Sequence, residues 1–102
     1  MEEPLVYIKI YEMPGEVLVA ACDKDMLGKS FSEGELKLDV SENFYGGYLA
    51  SVSEALRELS RATIANLVGE TIVSEAIKAG LVHEEAVIRI CNIPHAQIVR
   101  MP

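Results

Sequence analysis

Residues 64–81 read IANLVGETIVSEAIKAGL, and the spacing of their apolar side chains decides how the chain is built. Ile64, Leu67, Val68, Ile72, Val73, Ala76 and Ile77 recur at helical intervals, the stripe of an amphipathic helix. The stripe stops at Ala79-Gly80-Leu81, where a left-handed glycine followed by a hydrophobe is the chemistry of a Schellman cap. Gly69 lies inside it. A glycine within a helix costs about 1 kcal/mol relative to alanine, so it predicts close backbone contact with another element or a break between two helices. Asn66 could then cap a helix beginning near Leu67, with Gly69 and Glu70 in its first turn.

Upstream, Leu49, Val52, Leu56 and Leu59 give another helical stripe, and Ser51 with Glu54 three residues on has the form of a capping box, although a start a few residues earlier fits equally. The run Asn43-Phe44-Tyr45-Gly46-Gly47-Tyr48 reads as a structured loop feeding this helix. Further towards the N-terminus the period changes to two. Val6, Ile8 and Ile10 alternate with Tyr7, Lys9 and Tyr11, and Val17 to Cys22 is continuously apolar. Pro14-Gly15 between them fits a type II turn, so residues 5–22 predict a hairpin. A polar connection over 23–34 leads to a third strand over 35–40.

Downstream, residues 86–91 read as a fourth strand and 97–101 as a fifth, separated by the turn Asn92-Ile93-Pro94. The order of strands, then helices, then strands predicts an α+β fold. It would be a two-layer sandwich, with a mixed, mainly antiparallel sheet of about five strands and two or three helices packed on one face. At 102 residues the chain, residues 1–102, is expected to form a single compact domain.

Composition narrows the function. The chain is 50% hydrophobic and 25% charged, an ordinary globular balance. A net charge of -7 and scattered Lys and Arg residues disfavour nonspecific nucleic-acid binding and approach to anionic membranes. Met1-Glu2-Glu3-Pro4 is unlike the start of a secretory signal, and no apolar run reaches the roughly 20 residues that span a bilayer. The expected location is the cytoplasm. Cys22 and Cys91 both fall in strand-like runs and read as small buried hydrophobes; they could pair only if their strands were neighbours, as thermophile cytosols sometimes permit.

The segments ANLVGE from Ala65, AIKAGLV, VIRI and IPHAQIVR, together with LGKSF and FYGG, resemble an archaeal family of uncharacterised proteins, domain of unknown function 424. The resemblance spans essentially the whole chain. It implies a small α/β architecture and no particular activity.

Individual motifs say what the chain lacks. Gly28-Lys29-Ser30 has the ending of a phosphate-binding P-loop, but Asp23 stands where the first glycine of that motif belongs. Lys29 therefore reads as a solvated turn residue and a lesser ligand-binding candidate. Cys91, His95 and His83 do not supply a metal set, and no cofactor is implied. His83, beside Glu84 and Glu85, reads as exposed. Cys91 with His95 could in principle be a nucleophile and base, though a strand cysteine beside Ile90 is more often inert packing.

Two polar groupings remain. His95, held between Pro94 and Ala96 in a restricted connection, with Gln97 two residues on, can aim an imidazole and an amide at a ligand or tie the loop to a strand. Asn66 and Glu70 form the second grouping, and a functional groove would require them to converge with His95. Tyr45 belongs to the aromatic run, whose rings suit a partner surface or simply close over the sheet. No catalytic residue is assigned. The leading expectation is a non-catalytic interaction domain that presents His95-Gln97 or the aromatic run to a protein partner or a second copy. A small enzyme using His95 in a pocket is the alternative, and an accessory factor of RNA-handling machinery a weaker one.

Overall fold

A computed structural model of the protein describes residues 3–100. β1 (Leu5–Met13) and β2 (Glu16–Asp23) form the hairpin read from the sequence, in register from Met13 opposite Glu16 to Val6 opposite Asp23. Gly15 takes the positive φ of 78° that the turn requires. The next residues depart from expectation. Ser30–Glu33 and Leu36–Asp39 are β3 and β4, a separate small hairpin, so part of the predicted polar connection is strand and the third predicted strand is not in the main sheet.

The aromatic run also divides. Glu42–Tyr45 is a single helical turn, α1, capped by Ser41, whose Oγ accepts from the Phe44 amide at 3.1 Å. Tyr48–Ser51 is β5, an edge strand against β1, so Leu49 belongs to a strand and not to the following helix. Gly47 explains how the chain turns between them. A Cβ there would overlap the Ile8 carbonyl and sit 2.8 Å from Lys9 Cα, so only glycine passes so close to β1. Ser51 then caps α2 (Val52–Arg61) as predicted, accepting from the Glu54 amide at 3.1 Å.

The decisive stretch is not one helix, nor two. Ile64–Val68 is β6, and only Glu70–Lys78 is helical, as α3. β6 runs parallel to β2 on one side and antiparallel to β8 (Ile93–Val99) on the other; the helices cover one face along its length, while the other face is covered at Val68 and half-open at Ile64 and Asn66. Ala65 and Leu67 pack towards the helices while Val68 packs the other way, which is why its apolar residues do not alternate with polar ones. The break falls at Gly69, φ 121°. Asn66 is therefore a strand residue and caps nothing. The far end of α3 is the predicted Schellman stop: Gly80 has φ 77°, its N–H donates to the Ile77 carbonyl, and the Leu81 N–H donates to that of Ala76 at 2.9 Å.

The last hairpin is also shifted. β7 (Ile88–Ile90) and β8 are joined by Cys91-Asn92, with φ of 51° and 67°, the left-handed pair of a type I′ turn. The turn is thus one position earlier than read, and Pro94 and His95 are strand residues. Pro94 fits inside the sheet for a specific reason. The Gly69 carbonyl, which an N–H at residue 94 would meet, already accepts from Val73 at 3.1 Å as the helix begins, while the Gly69 N–H donates to the Pro94 carbonyl.

The fold is α+β, with a mixed and mostly antiparallel six-stranded sheet in the order β5-β1-β2-β6-β8-β7 beside the two-stranded β3–β4 sheet. α2 and α3 cover one face, where Leu59 and Ile72 meet Val6, Ile8, Val19 and Leu67. Relative to the reading from sequence, the main sheet gains β5 and β6 and loses the strand expected at 35–40. On the opposite face α1 and the β3–β4 hairpin bury a smaller cluster containing Cys22, Leu38, Val40, Tyr45 and Val68.

Candidate functional site

The strand registers place the side chains of this second face in rows. Tyr7, Cys22, Val68, His95 and Ile88 form the first, Lys9, Ala20, Asn66 and Gln97 the second, and Tyr11, Leu18, Ile64 and Val99 the third. The small hairpin and α1 lie over the Cys22 end, and the cover thins along β6 and β8. Cys22 and Val68 are fully buried, Asn66 and His95 half-buried, Gln97 exposed, and Val99 is 67% exposed. Three of the residues singled out from sequence, Asn66, Gln97 and His95, thus share one half-open sheet face.

Their chemistry differs. The Gln97 Nε2 donates to Asn66 Oδ1 at 3.0 Å across the strands. That bond uses one donor and one acceptor, leaving the Asn66 amide N–H groups and the Gln97 oxygen without a protein partner among the described residues. His95 lies between Val68 and Ile88 in its row, and burial lowers its pKa below the ordinary value of 6.5, so it is a neutral imidazole at pH 7.

The other candidates lie elsewhere. Glu70, in the first turn of α3, accepts from Arg89 at 2.7 Å and does not meet Asn66 or His95. Tyr45 is buried at 4% exposure under the hairpin, with its phenol pushed up to about 12 by burial and by the neighbouring Cys22, so it presents nothing to a partner. Lys29 is exposed in the turn before β3, as read. Tyr11 and Lys9 do structural work, donating to the Phe44 and Asn43 carbonyls at 2.8 Å and so fastening α1 to β1.

The cysteines separate as well. Cys22 is a buried free thiol pushed up to about 12, chiefly by burial and then by the charges of Asp23 and Asp25. Cys91 is exposed in the turn, contrary to its reading as strand packing, and its thiol donates to the Ser32 carbonyl at 3.1 Å instead of engaging His95. β6 and β8 separate β2 from β7, and no disulfide joins the two. Among the described residues no cluster of His, Cys, Asp and Glu could hold a metal ion.

One residue with a decisive position escaped the sequence reading. Asp23 ends β2 beside the start of α3, and its two carboxylate oxygens accept from the Thr71 and Ile72 amides at 2.8 and 2.9 Å. Burial raises its pKa, with those two amides pulling the other way. A cleft of about 600 Å³ opens here between Asp23, Lys24, Met26, Glu70, Thr71 and Ile93, where the connections after the parallel strands β2 and β6 leave towards opposite faces. Such a switch point often takes a ligand against helix amides. Here Asp23 already holds those amides. The only sequence signal was an acid at the end of an apolar strand, which does not announce a cap on a helix 48 residues away.

Fold and face together define a small α+β scaffold with a helix-covered sheet face and a half-open one built on amides, apolar residues and a neutral imidazole. The chain belongs to the family described as protein of unknown function DUF424, whose model matches residues 11–101. It is similar to the crystal structure of an uncharacterized conserved protein from Methanopyrus kandleri, with a TM-score of 0.77, 27% identity and coverage of 96% of both chains. No curated protein matches the chain.

Proposed function

We propose that the chain is a single, non-catalytic binding domain of the cytoplasm whose half-open sheet face receives a protein partner. The observation that carries this reading is the Asn66–Gln97 pair: two amides with spare hydrogen-bonding capacity on central strands, flanked by Ile64, by exposed Val99 and, beyond His95, by exposed Ile88. Amides with spare donors and acceptors among apolar side chains provide orientation and contact area together, the combination protein interfaces use. The three rows contain no acidic side chain although the chain carries 16, so these positions themselves set no negative charge against a partner.

One further observation favours binding over chemistry. His95 has no carboxylate or hydroxyl hydrogen-bonded to it among the described residues, so nothing orients it as a general base. The cytoplasmic assignment is supported by two free thiols. Among the described residues no helix is long and apolar enough to cross a membrane.

The test is capture of partners by tagged wild-type protein and by Gln97→Arg, followed by amide-exchange footprinting of the complex. A protein retained by wild type, resistant to nuclease, lost with Gln97→Arg and protecting β6 and β8 supports the proposal. Equal retention by the variant, a footprint elsewhere, or loss on nuclease treatment overturns it.

A further inference from the structure

The two edges of the six-stranded sheet are finished differently. An open edge exposes backbone N–H and C=O groups that can pair with another strand, and soluble proteins guard such edges with charges, proline, bulges or covering segments. β7 is guarded. The β3–β4 hairpin packs beside it, Glu33 of that hairpin accepts from the Cys91 amide, and Arg89 places a charge in its centre.

Apart from its shortness, four residues, β5 has none of these devices among the described residues. Its sequence is Tyr48-Leu49-Ala50-Ser51, without charge, proline or glycine, and among the described residues it pairs only with β1, from Leu5 opposite Ser51 to Ile8 opposite Tyr48. Because ladder bonds alternate along an antiparallel pair, every second residue of β5 turns its amide and carbonyl away from β1. The side chains around this edge are apolar and exposed: Tyr48 at 45%, Leu49 at 40% and, on β1, Leu5 at 42%.

The helix over this edge supplies the second observation. α2 packs on β5 as well as on β1 and β2, and its acidic Glu54 and Glu58 lie one turn apart along it. Arg57 and Arg61 follow in the same helix, and Arg61 pairs with Glu58 at 2.8 Å. The acids begin earlier along α2 and the bases end it, so the stripe is neutral in total on a chain of net charge -7. A second α2 lying antiparallel sets Glu54 towards the Arg61 of its counterpart, and the stripe is complementary to itself.

We infer that β5 is a dimerisation edge, where a second copy of this chain pairs antiparallel across a two-fold axis normal to the sheet and joins the two sheets into one. Antiparallel pairing is the arrangement in which identical strands satisfy each other, since the same residues occupy both sides of an isologous contact. The same axis brings the two α2 helices together antiparallel on one face. This surface lies on the opposite edge of the sheet from β8, so a dimer leaves Asn66, Gln97 and His95 free.

Sedimentation of the full chain over a concentration series tests the inference, with amide exchange read at each concentration. The expected result is a species of twice the 11.2 kDa chain mass, with the outward-facing amides among residues 48–51 slowed at least tenfold as it forms. Leu49→Lys, at an exposed position that tolerates lysine in the monomer, is expected to shift the dissociation constant upward at least tenfold, while Ile88→Lys on the other edge leaves it unchanged. A chain that stays monomeric up to about 0.5 mM, well above the micromolar range of ordinary specific contacts, overturns the inference. So does a dimer whose residues 48–51 exchange as in the monomer, a result that needs no variant.

Discussion

Gly69 and Asp23 are packed so closely that residue 69 can have no side chain: a Cβ there would overlap the Asp23 carboxyl carbon and lie 2.6 Å from Oδ2. The same contact delivers the carboxylate to the Thr71 and Ile72 amides, so one close approach ends β6, starts α3 and caps it. Gly69 also has φ 121°, outside the range of other residues. Gly69→Ala is therefore expected to lower stability by about 3 kcal/mol, from backbone strain and a displaced cap together. Gly15→Ala, with φ 78° but open space around it, is the comparison and is expected to cost about 1 kcal/mol. Urea unfolding of both variants measures the difference, and equal losses would show that the contact with Asp23 adds nothing.

Asp23→Ala leaves two amides of the first turn of α3 without their acceptor. The expected loss is about 2 kcal/mol, the upper end of the range for helix caps because the site is buried. Amide exchange should rise first at Thr71 and Ile72. Fast exchange spread evenly over the chain, with no excess at these two, would mean that Asp23 acts by packing alone.

The break at Gly69 also shows why the central stretch was misread while its end was not. Gly80 and Leu81 announce a local device whose hydrogen bonds close within a few residues, and such devices are visible in sequence. Ile64 to Val68 is a strand with apolar residues on both faces, Ala65 and Leu67 towards the helices and Ile64 and Val68 on the other side, so it lacks the alternation that would identify it. Joined to the first turn of α3, it imitates one helical stripe. β5 was hidden differently, being four residues long and running directly into the Ser51 cap. Asn66, Gln97 and His95 were legible as polar residues out of place. Their shared face depends on the β6–β8 register, which no local pattern specifies.

His95 gives a pH dependence of defined sign. Its folded pKa lies below the unfolded value near 6.5 because burial penalises the imidazolium. The unfolded chain therefore binds its proton first, and the stability due to this group is complete above pH 6.5 and lost as pH falls through the lower folded value. His95→Gln should flatten stability between about pH 7 and 5 relative to wild type. An unchanged slope in urea titrations across that window would place the titrating group elsewhere.

The amide pair should matter little to folding. Both members are partly or fully exposed, so Asn66→Ala and Gln97→Ala are each expected to change stability by no more than about 0.5 kcal/mol. A loss of several kcal/mol from either would make the pair a structural tie and remove the main support for a binding face.

The two thiols provide a test of the turn that moved Cys91 to the surface. Cys22 is fully buried with its pKa pushed up to about 12, so neither access nor thiolate is available to a reagent in solution. Cys91 sits at a left-handed position of the β7–β8 turn with its sulfur held only by the Ser32 carbonyl. A disulfide-exchange reagent at neutral pH is therefore expected to modify one thiol per native chain and both after denaturation, and Cys91→Ser should abolish the native signal. Reaction of both thiols in the native state at equal rates would show that the cover of α1 and the small hairpin over Cys22 opens freely. If neither reacted, Cys91 would have to be packed as the strand reading supposed, and the turn would need to be redrawn.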